Sequence, residues 1–324
     1  MIVNILLFVV GLVMLIKGGD WFVDGASGIA RRFRLPELLI GATVVSIGTT
    51  LPEVMVSAQG AMAGSGGMAY GNAIGSIICN TSLIAAITIA VKPGKVERRT
   101  LIVPVAFFFV AAAFYMSVAY FSGEFTRTVG IVLLAGFVVY ICTTLWQMKK
   151  SPSTDIADEH DEEEQKESSV AKEVLLLIFG AVLIAIGARL LVDNGTIIAE
   201  ELGVPDTVIA LTFVALGTSL PELVTAITSL MKGHGALSLG NIIGANLFNF
   251  VLVSGVATVI SPFPVPSEST IAGMPASLVL DLPVMLGVML ILTVPALVRQ
   301  KLSRAQGIIL LCIYAAFCTL QFVM

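Results

Sequence analysis

Residues 48–53 read GTTLPE, and residues 217–222 read GTSLPE. The first sextet lies between ELLIGATVVSI (37–47) and VMVSAQGAMA (54–63), in the middle of a long apolar stretch. A glycine, a proline and a carboxylate there all argue against a plain lipid-facing helix. Pro52 lacks an N–H, and its ring crowds the carbonyl four residues back. A carboxylate at mid-bilayer is expensive and by default functional. The same departure at Pro221 and Glu222 makes it a designed feature rather than an accident.

Shifting the chain by 169 residues extends the match. GNAIGSIICN (71–80) then falls on GNIIGANLFN (240–249), and Val23-Asp24 falls on Val192-Asp193. No gap is needed from residue 18 to residue 80, and 22 of those 63 positions are identical. The shared positions include Gly, Pro, Glu and Asn, so this is a duplication and not a chance likeness of greasy segments.

The composition makes lipid the main solvent. The chain has 324 residues, 57% of them hydrophobic and 12% charged, with a mean hydropathy of +0.98. Soluble domains average about 45–50% apolar and about 25% charged residues. Cys79, Cys142, Cys312 and Cys318 lie scattered in apolar runs and read as packing residues, not as a disulfide framework or metal cluster. Two histidines give no zinc set, and nothing points to nucleic acid or to a bound cofactor.

A membrane helix needs about 20 residues. Ten spans fit that rule, at roughly 3–30, 36–63, 67–91, 100–120, 126–147, 173–199, 205–231, 236–260, 275–298 and 303–323. The first run, IVNILLFVVGLVML, lacks a basic leader and reads as a membrane helix rather than a signal peptide. The odd-numbered connections hold nearly all the basic residues: Arg31, Arg32 and Arg34; Lys92, Lys95, Arg98 and Arg99; Lys149, Lys150, Lys166 and Lys172; Lys232; Arg299, Lys301 and Arg304. The other side holds Arg127 alone, while Lys17 and Arg189 fall inside spans. This asymmetry predicts an integral inner-membrane protein with both termini outside and the odd connections in the cytoplasm.

Three parts follow: a five-helix repeat at 1–148, an acidic linker at 149–172, and a second repeat at 173–324. Five spans per half place the second repeat in the membrane upside down relative to the first. The predicted fold is therefore an all-α membrane protein of ten helices in two inverted five-helix repeats, with helices 2 and 7 broken at the sextets. Inverted repeats with paired interrupted helices are the architecture of secondary transporters, whose site lies at the repeat interface near the midplane.

The chemistry at the sextets fits a cation. A break ahead of Pro52 frees carbonyls of Ser46 to Thr49, and a break ahead of Pro221 frees those of Ala215 to Thr218. Such groups must face protein or a polar cavity. Glu53 and Glu222 each open the following half-helix, where a carboxylate suits the positive dipole end. Carbonyls, hydroxyls and two carboxylates are hard oxygen ligands that suit Ca2+, and Na+ uses the same atoms. In the second motif Asn72, Ser76 and Asn80 form one helical stripe, matched by Asn241, Ala245 and Asn249. Gly71/Gly75 and Gly240/Gly244 have GxxxG spacing, which permits close helix approach.

At these residues the chain resembles the sodium/calcium exchanger family of the cation/calcium exchanger superfamily, in its bacterial and archaeal branch. The resemblance covers nearly the whole chain and rests on GT-T/S-LPE with GN-x-IG, present twice at one offset. It implies that Glu53 and Glu222 are the central Ca2+ ligands, with the carbonyls of Thr49 and Thr218. It implies that those threonines, with Thr50, Ser219, Ser76 and the carbonyls of Ser46 and Ala215, are Na+ ligands, and that the Asn80 amide fills the middle. Two positions depart from the family pattern. Ala245 stands where the second repeat often has Ser, and Asn249 where many exchangers have Asp.

The expected activity is therefore non-enzymatic: antiport of Ca2+ against Na+ by alternating access, with inorganic cations and the bilayer as partners and a monomer sufficient. The nearest rival is a cation/proton antiporter that uses the same glutamates. An intramembrane enzyme is disfavoured because no nucleophile–base set accompanies the carboxylates. A channel would need a continuous pore.

Overall fold

The computed structural model describes residues 2–150, 169–202, 217–267 and 269–323. The helices are α1 (Ile2–Arg32), α2 (Glu37–Met62), α3 (Gly66–Val91), α4 (Arg98–Ser122), α5 (Arg127–Lys150), α6 (Val170–Glu201), α7 (Leu220–Met231), α8 (Gly235–Ile260), α9 (Ser277–Arg299) and α10 (Arg304–Val323). Among the described residues nine of them are long and apolar enough to cross a membrane, and α7 is shorter. The expected span 205–231 is represented by α7, and its residues 205–216 lie outside the described ones. So do residues 151–168 of the acidic linker. The all-α, ten-helix architecture in two inverted halves stands as the sequence predicts.

The connections sort to two ends. At the end from which the linker departs, Lys95 and Lys301 form an antiparallel β-bridge. There Arg304 Nε donates to Ala90 O at 2.9 Å, and Gln147 Nε2 donates to Arg99 O at 2.9 Å. At the opposite end β1 (Glu124–Phe125) pairs antiparallel with β2 (Phe263–Pro264). A small hairpin of β3 (Thr270–Ile271) and β4 (Met274–Pro275) precedes α9. The two inter-repeat ties are related by inversion. One joins the fourth and eighth connections, the other the third and ninth; the fourth is the equivalent of the ninth and the eighth of the third, so each tie maps onto the other.

α1 and α6, of 31 and 32 residues, span about 46–48 Å at ~1.5 Å per residue, well beyond the hydrocarbon core. They run antiparallel along a glycine seam. A Cβ on Gly11 would lie 2.8 Å from Gly187 O, and one on Gly187 2.8 Å from Gly11 O. A Cβ on Gly18 would lie 3.0 Å from Gly180 O, and one on Gly180 2.5 Å from Phe22 N. Gly11 and Gly180, like Gly18 and Gly187, are repeat equivalents, so the pseudo-two-fold axis passes through this seam.

The same inversion shows at helix ends. α2 and α7 both stop at a left-handed glycine, Gly64 (φ 77°) and Gly233 (φ 87°). In each case the next N–H reaches back five residues along the turn, Ser65 N to Gly60 O at 2.8 Å and His234 N to Ser229 O at 2.7 Å. α3 and α8 each widen into a π-helical turn at equivalent places, Asn80–Ala85 and Asn249–Ser254. The buried core joins the halves through aromatic rings. Tyr115 of α4 lies 4.4 Å from Phe125 and 5.0 Å from Phe250 of α8, centroid to centroid. Cys79 is buried, whereas Cys142 and Cys312 are exposed on the outer surface and do not pack in the core as the sequence reading expects.

Candidate functional site

Both helices that carry the sextets are interrupted, but only the second is interrupted at the sextet itself. In α2 the interruption is a π-helical turn at Gly41–Val45, and α-helix then runs unbroken from Ser46 to Met62 with Pro52 inside it. The expected opening of Ser46 to Thr49 is therefore limited to what Pro52 itself removes, the N–H that the Gly48 carbonyl would accept. The π turn is held by side chains. Ser46 Oγ donates to Gly41 O at 2.7 Å, and Tyr140 OH of α5 donates to Ala42 O at 2.8 Å. In the second copy Gly217 is helical, Thr218 and Ser219 form a turn, and α7 starts at Leu220 with Pro221 in its first turn. There the chain does break beside the motif. Ala215 lies outside the described residues.

Glu53 and Glu222 are each 0% exposed. None of their four carboxylate oxygens has a hydrogen-bond partner among the described residues. Unpaired buried carboxylates are costly unless paired or bound to a cation. Around them the neutral oxygens are also unspent. Thr50 Oγ1, Ser219 Oγ, both amide atoms of Asn80 and Asn249 Oδ1 are buried without partners among the described residues. Asn249 Nδ2 turns back on its own helix and donates to Ala245 O at 3.0 Å, which leaves its oxygen as the free end. Asn80 and Asn249 each begin a π turn, a feature common at functional sites because it upsets the regular carbonyl ladder.

The other predicted residues fall in two groups. Thr49 and Ser46 are buried but engaged across the repeat interface. Thr49 Oγ1 donates to Asn241 Oδ1 at 3.2 Å, and Ser46 Oγ also donates to Asn241 O at 2.9 Å. Ser76 is 4% exposed on the inner face of α3, and Thr218 is half-buried. Asn72 holds the opposite motif, donating through Nδ2 to Glu53 O at 3.1 Å and to Ser57 Oγ at 2.8 Å. Thr225 was not singled out by the sequence. It lies three residues after Glu222, is 0% exposed, and its Oγ1 has no partner among the described residues. Its helical spacing from Glu222 was the available signal.

The α1/α6 pair closes the site on one flank. A cavity between this pair and the sextets is lined by Phe22, Gly48, Thr49, Pro52, Ala181, Ile184, Ala185 and Pro221. The Phe22 ring lies so close over Gly48 that a Cβ there would meet it at 2.9 Å. Two buried carboxylates without hydrogen-bond partners, together with buried hydroxyl and amide oxygens on the same motif helices that are likewise unpartnered among the described residues, are the donor chemistry that hard cations take.

The sequence profile of the family described as sodium/calcium exchanger protein matches residues 3–146 and 172–323. The chain belongs to the sodium/calcium exchanger family. This exchanger is 32% identical to the sodium/calcium exchanger MaX1 of Methanosarcina acetivorans, with 99% of each chain covered. It is 35% identical to the inner membrane protein YrbG of Escherichia coli, with 79% of each covered. A solved structure of the sodium-calcium exchanger NCX_Mj, soaked with Na+ and Sr2+, matches with a TM-score of 0.80 at 32% identity and covers 97% of both chains. The family and fold are those of a multi-pass membrane transporter, not of an enzyme family, and support antiport of Ca2+ against another cation.

Proposed function

We propose that this exchanger couples Ca2+ to Na+ by alternating access at the cage around Glu53 and Glu222. The observation that carries the reading is the pair of fully buried glutamates whose oxygens have no protein partner among the described residues. Glu53 and Glu222, with the carbonyls of Thr49 and Thr218, hold Ca2+. The side chains of Thr49, Thr50, Ser76, Ser219 and Thr218, with the carbonyls of Ser46 and Ala215, hold Na+, and the Asn80 and Asn249 amides complete the centre. Ca2+ and Na+ compete for the same oxygens, which couples their movements. The Na+ named for MaX1 and present with NCX_Mj supports Na+ as the driving ion here.

The basic connections put the linker end in the cytoplasm and both termini outside, in the inner membrane, with the chain divided at 1–148, 149–172 and 173–324. Two carboxylates balance one Ca2+ or two Na+ without a third counter-ion, so coupling here is weaker or lower in Na+ stoichiometry than in relatives with Asp at the position of Asn249. Proton coupling is the second reading. It is favoured by the second repeat's thin ligand set, where Ala245 brings no hydroxyl and Asn249 no charge. The deciding experiment is uptake of radiolabelled Ca2+ into proteoliposomes with Na+, K+ and pH gradients imposed one at a time. Uptake driven by a Na+ gradient at equal pH is expected; uptake driven by a pH gradient alone, without Na+, replaces this reading with the second.

A further inference from the structure

Three hydroxyls between the cage and the linker end have no role in the cage and no partner. Thr225 and Ser229 of α7 are 0% exposed and Ser238 of α8 is 2% exposed, and none of their oxygens is hydrogen-bonded among the described residues. Several buried helical threonines bond back to their own helix, as Thr43 Oγ1 does to Leu39 O at 2.7 Å and Thr293 Oγ1 to Met289 O at 2.6 Å; Thr144 and Thr258 are single unpaired hydroxyls, whereas Thr225, Ser229 and Ser238 follow one another toward one end. A buried hydroxyl left unpaired is destabilising, so three in sequence call for a ligand. Their placement is ordered. Thr225 and Ser229 follow Glu222 at spacings of three and seven, on one helical face, and lie about 4.5 and 10.5 Å along the axis from it at ~1.5 Å per residue. Ser238 lies one turn before Asn241, whose Nδ2 is likewise unpartnered among the described residues.

The inverted repeat supplies an internal control. The equivalents of Thr225, Ser229 and Ser238 in the first half are Val56, Gly60 and Ala69. The hydroxyl row therefore belongs to one end of the molecule and is not imposed by the motif. At its outer end stand three carboxylates against one lysine and one histidine. Lys232 Nζ lies 2.7 Å from Asp24 Oδ1 and 3.6 Å from Asp20 Oδ1, and His234 Nδ1 lies 2.7 Å from Glu37 Oε1.

We propose that cations travel between the cage and the linker end along this face of α7 and the start of α8, with Thr225, Ser229 and Ser238 replacing water ligands step by step. The proposal rests on the reading of Glu53 and Glu222 as the ion site and of the linker end as cytoplasmic. Close packing of α2 on α8 beside this face, where a Cβ added to Gly41 would clash with Leu237 O, one on Gly240 with Leu38 O and one on Gly244 with Ala42, would hold such a route closed. It opens when these two helices part.

The test places single cysteines, Ser229→Cys and Ser238→Cys, in a chain whose four native cysteines are replaced by alanine, with Ala69→Cys as the inverted control. Sided vesicles are treated with a membrane-impermeant cationic methanethiosulfonate. Labelling of positions 229 and 238 from the linker side is expected at roughly ten times the rate from the other side, with exchange blocked by the adduct, and Ser229→Val with Ser238→Val is expected to slow exchange roughly tenfold without changing equilibrium Ca2+ binding. Equal labelling from both sides, no labelling while exchange continues, or an unchanged rate in the double valine variant each overturn the route. A wild type that moves no Ca2+ under any gradient overturns the proposed function instead, since the labelling reads access whichever ion drives it.

Discussion

At the level of single residues, the two glutamates carry opposite effects on stability and function. Each is fully buried with both oxygens unpartnered among the described residues, so in ion-free protein each is a defect. Glu53→Gln and Glu222→Gln should cut Ca2+ exchange by on the order of 100-fold or more. The same variants should stabilise the ion-free protein by about 1–3 kcal/mol and lose the thermal shift that Ca2+ gives the wild type. A pair of melting curves with and without Ca2+ checks this; a destabilised apo variant would show that the glutamates brace the fold. These residues were legible in the sequence because a carboxylate stands out in apolar surroundings and occurs twice at one offset. Thr225 was not singled out, since a threonine in a membrane helix normally bonds to its own backbone, and its spacing of three from Glu222 gains weight only beside the unpaired oxygen in the structure. Asn249 and Ala245 were legible as departures, and they yield a gain-of-function test. Ala245→Ser with Asn249→Asp adds a hydroxyl and a third charge to the cage, and reversal-potential measurements in proteoliposomes should show a higher Na+:Ca2+ ratio than the wild type. An unchanged ratio would sink the charge-counting argument.

Among the helices, the spans were legible almost to the residue, because hydropathy and the Lys/Arg pattern are strong signals in a bilayer. The expected span 36–63, for example, appears as Glu37–Met62. The form of the interruptions was not. Pro52 marks a helix that stays α-helical around it and relaxes one turn earlier, in a π turn supported by Ser46 and Tyr140. Pro221 sits where the chain does turn. A proline states that one N–H is missing; whether the helix bends, widens or breaks depends on partners distant in sequence. The α1/α6 seam was equally hidden, since single glycines seven residues apart mean little until the partner helix is seen. Gly18→Val should destabilise the protein by about 1–3 kcal/mol, because its Cβ would lie 2.8 Å from Ile184 N. Gly287→Ala, on α9 with open space around it, is the matched control. Equal melting temperatures for the two would show that the seam yields without strain.

The whole molecule is an inverted duplicate whose two ends are not equivalent. Among the described residues, the linker end is tied by contacts between separate helices and connections: ion pairs of Arg32 with Glu173 and of Lys232 with Asp20 and Asp24, and a hydrogen bond between His234 and Glu37. Toward the other end the pair Arg189–Asp193 lies within one helix. Asp193 is the repeat equivalent of Asp24, and Ala63 is the equivalent of Lys232, so the tie from α7 to α1 exists on one side only. In an inverted repeat this is the means by which two mirror-related states acquire different energies. Contacts formed at the linker end favour the state closed there, the one in which α2 lies tight on α8. The ties are partly exposed and each is worth about 0–1 kcal/mol, enough to bias a two-state equilibrium a few-fold but not to lock it. Lys232→Ala should therefore raise access from the linker side by roughly two- to fivefold, read as the labelling rate of Ser238→Cys, while Ca2+ affinity of the cage is unchanged because Lys232 lies ten residues beyond Glu222. Ala63→Lys places a cation at the equivalent position of the other end and, by pairing with Asp193, favours the state closed there, so it should also raise this rate. If the two variants shift access in opposite directions, the ion pairs govern general rigidity and not the choice between the two states.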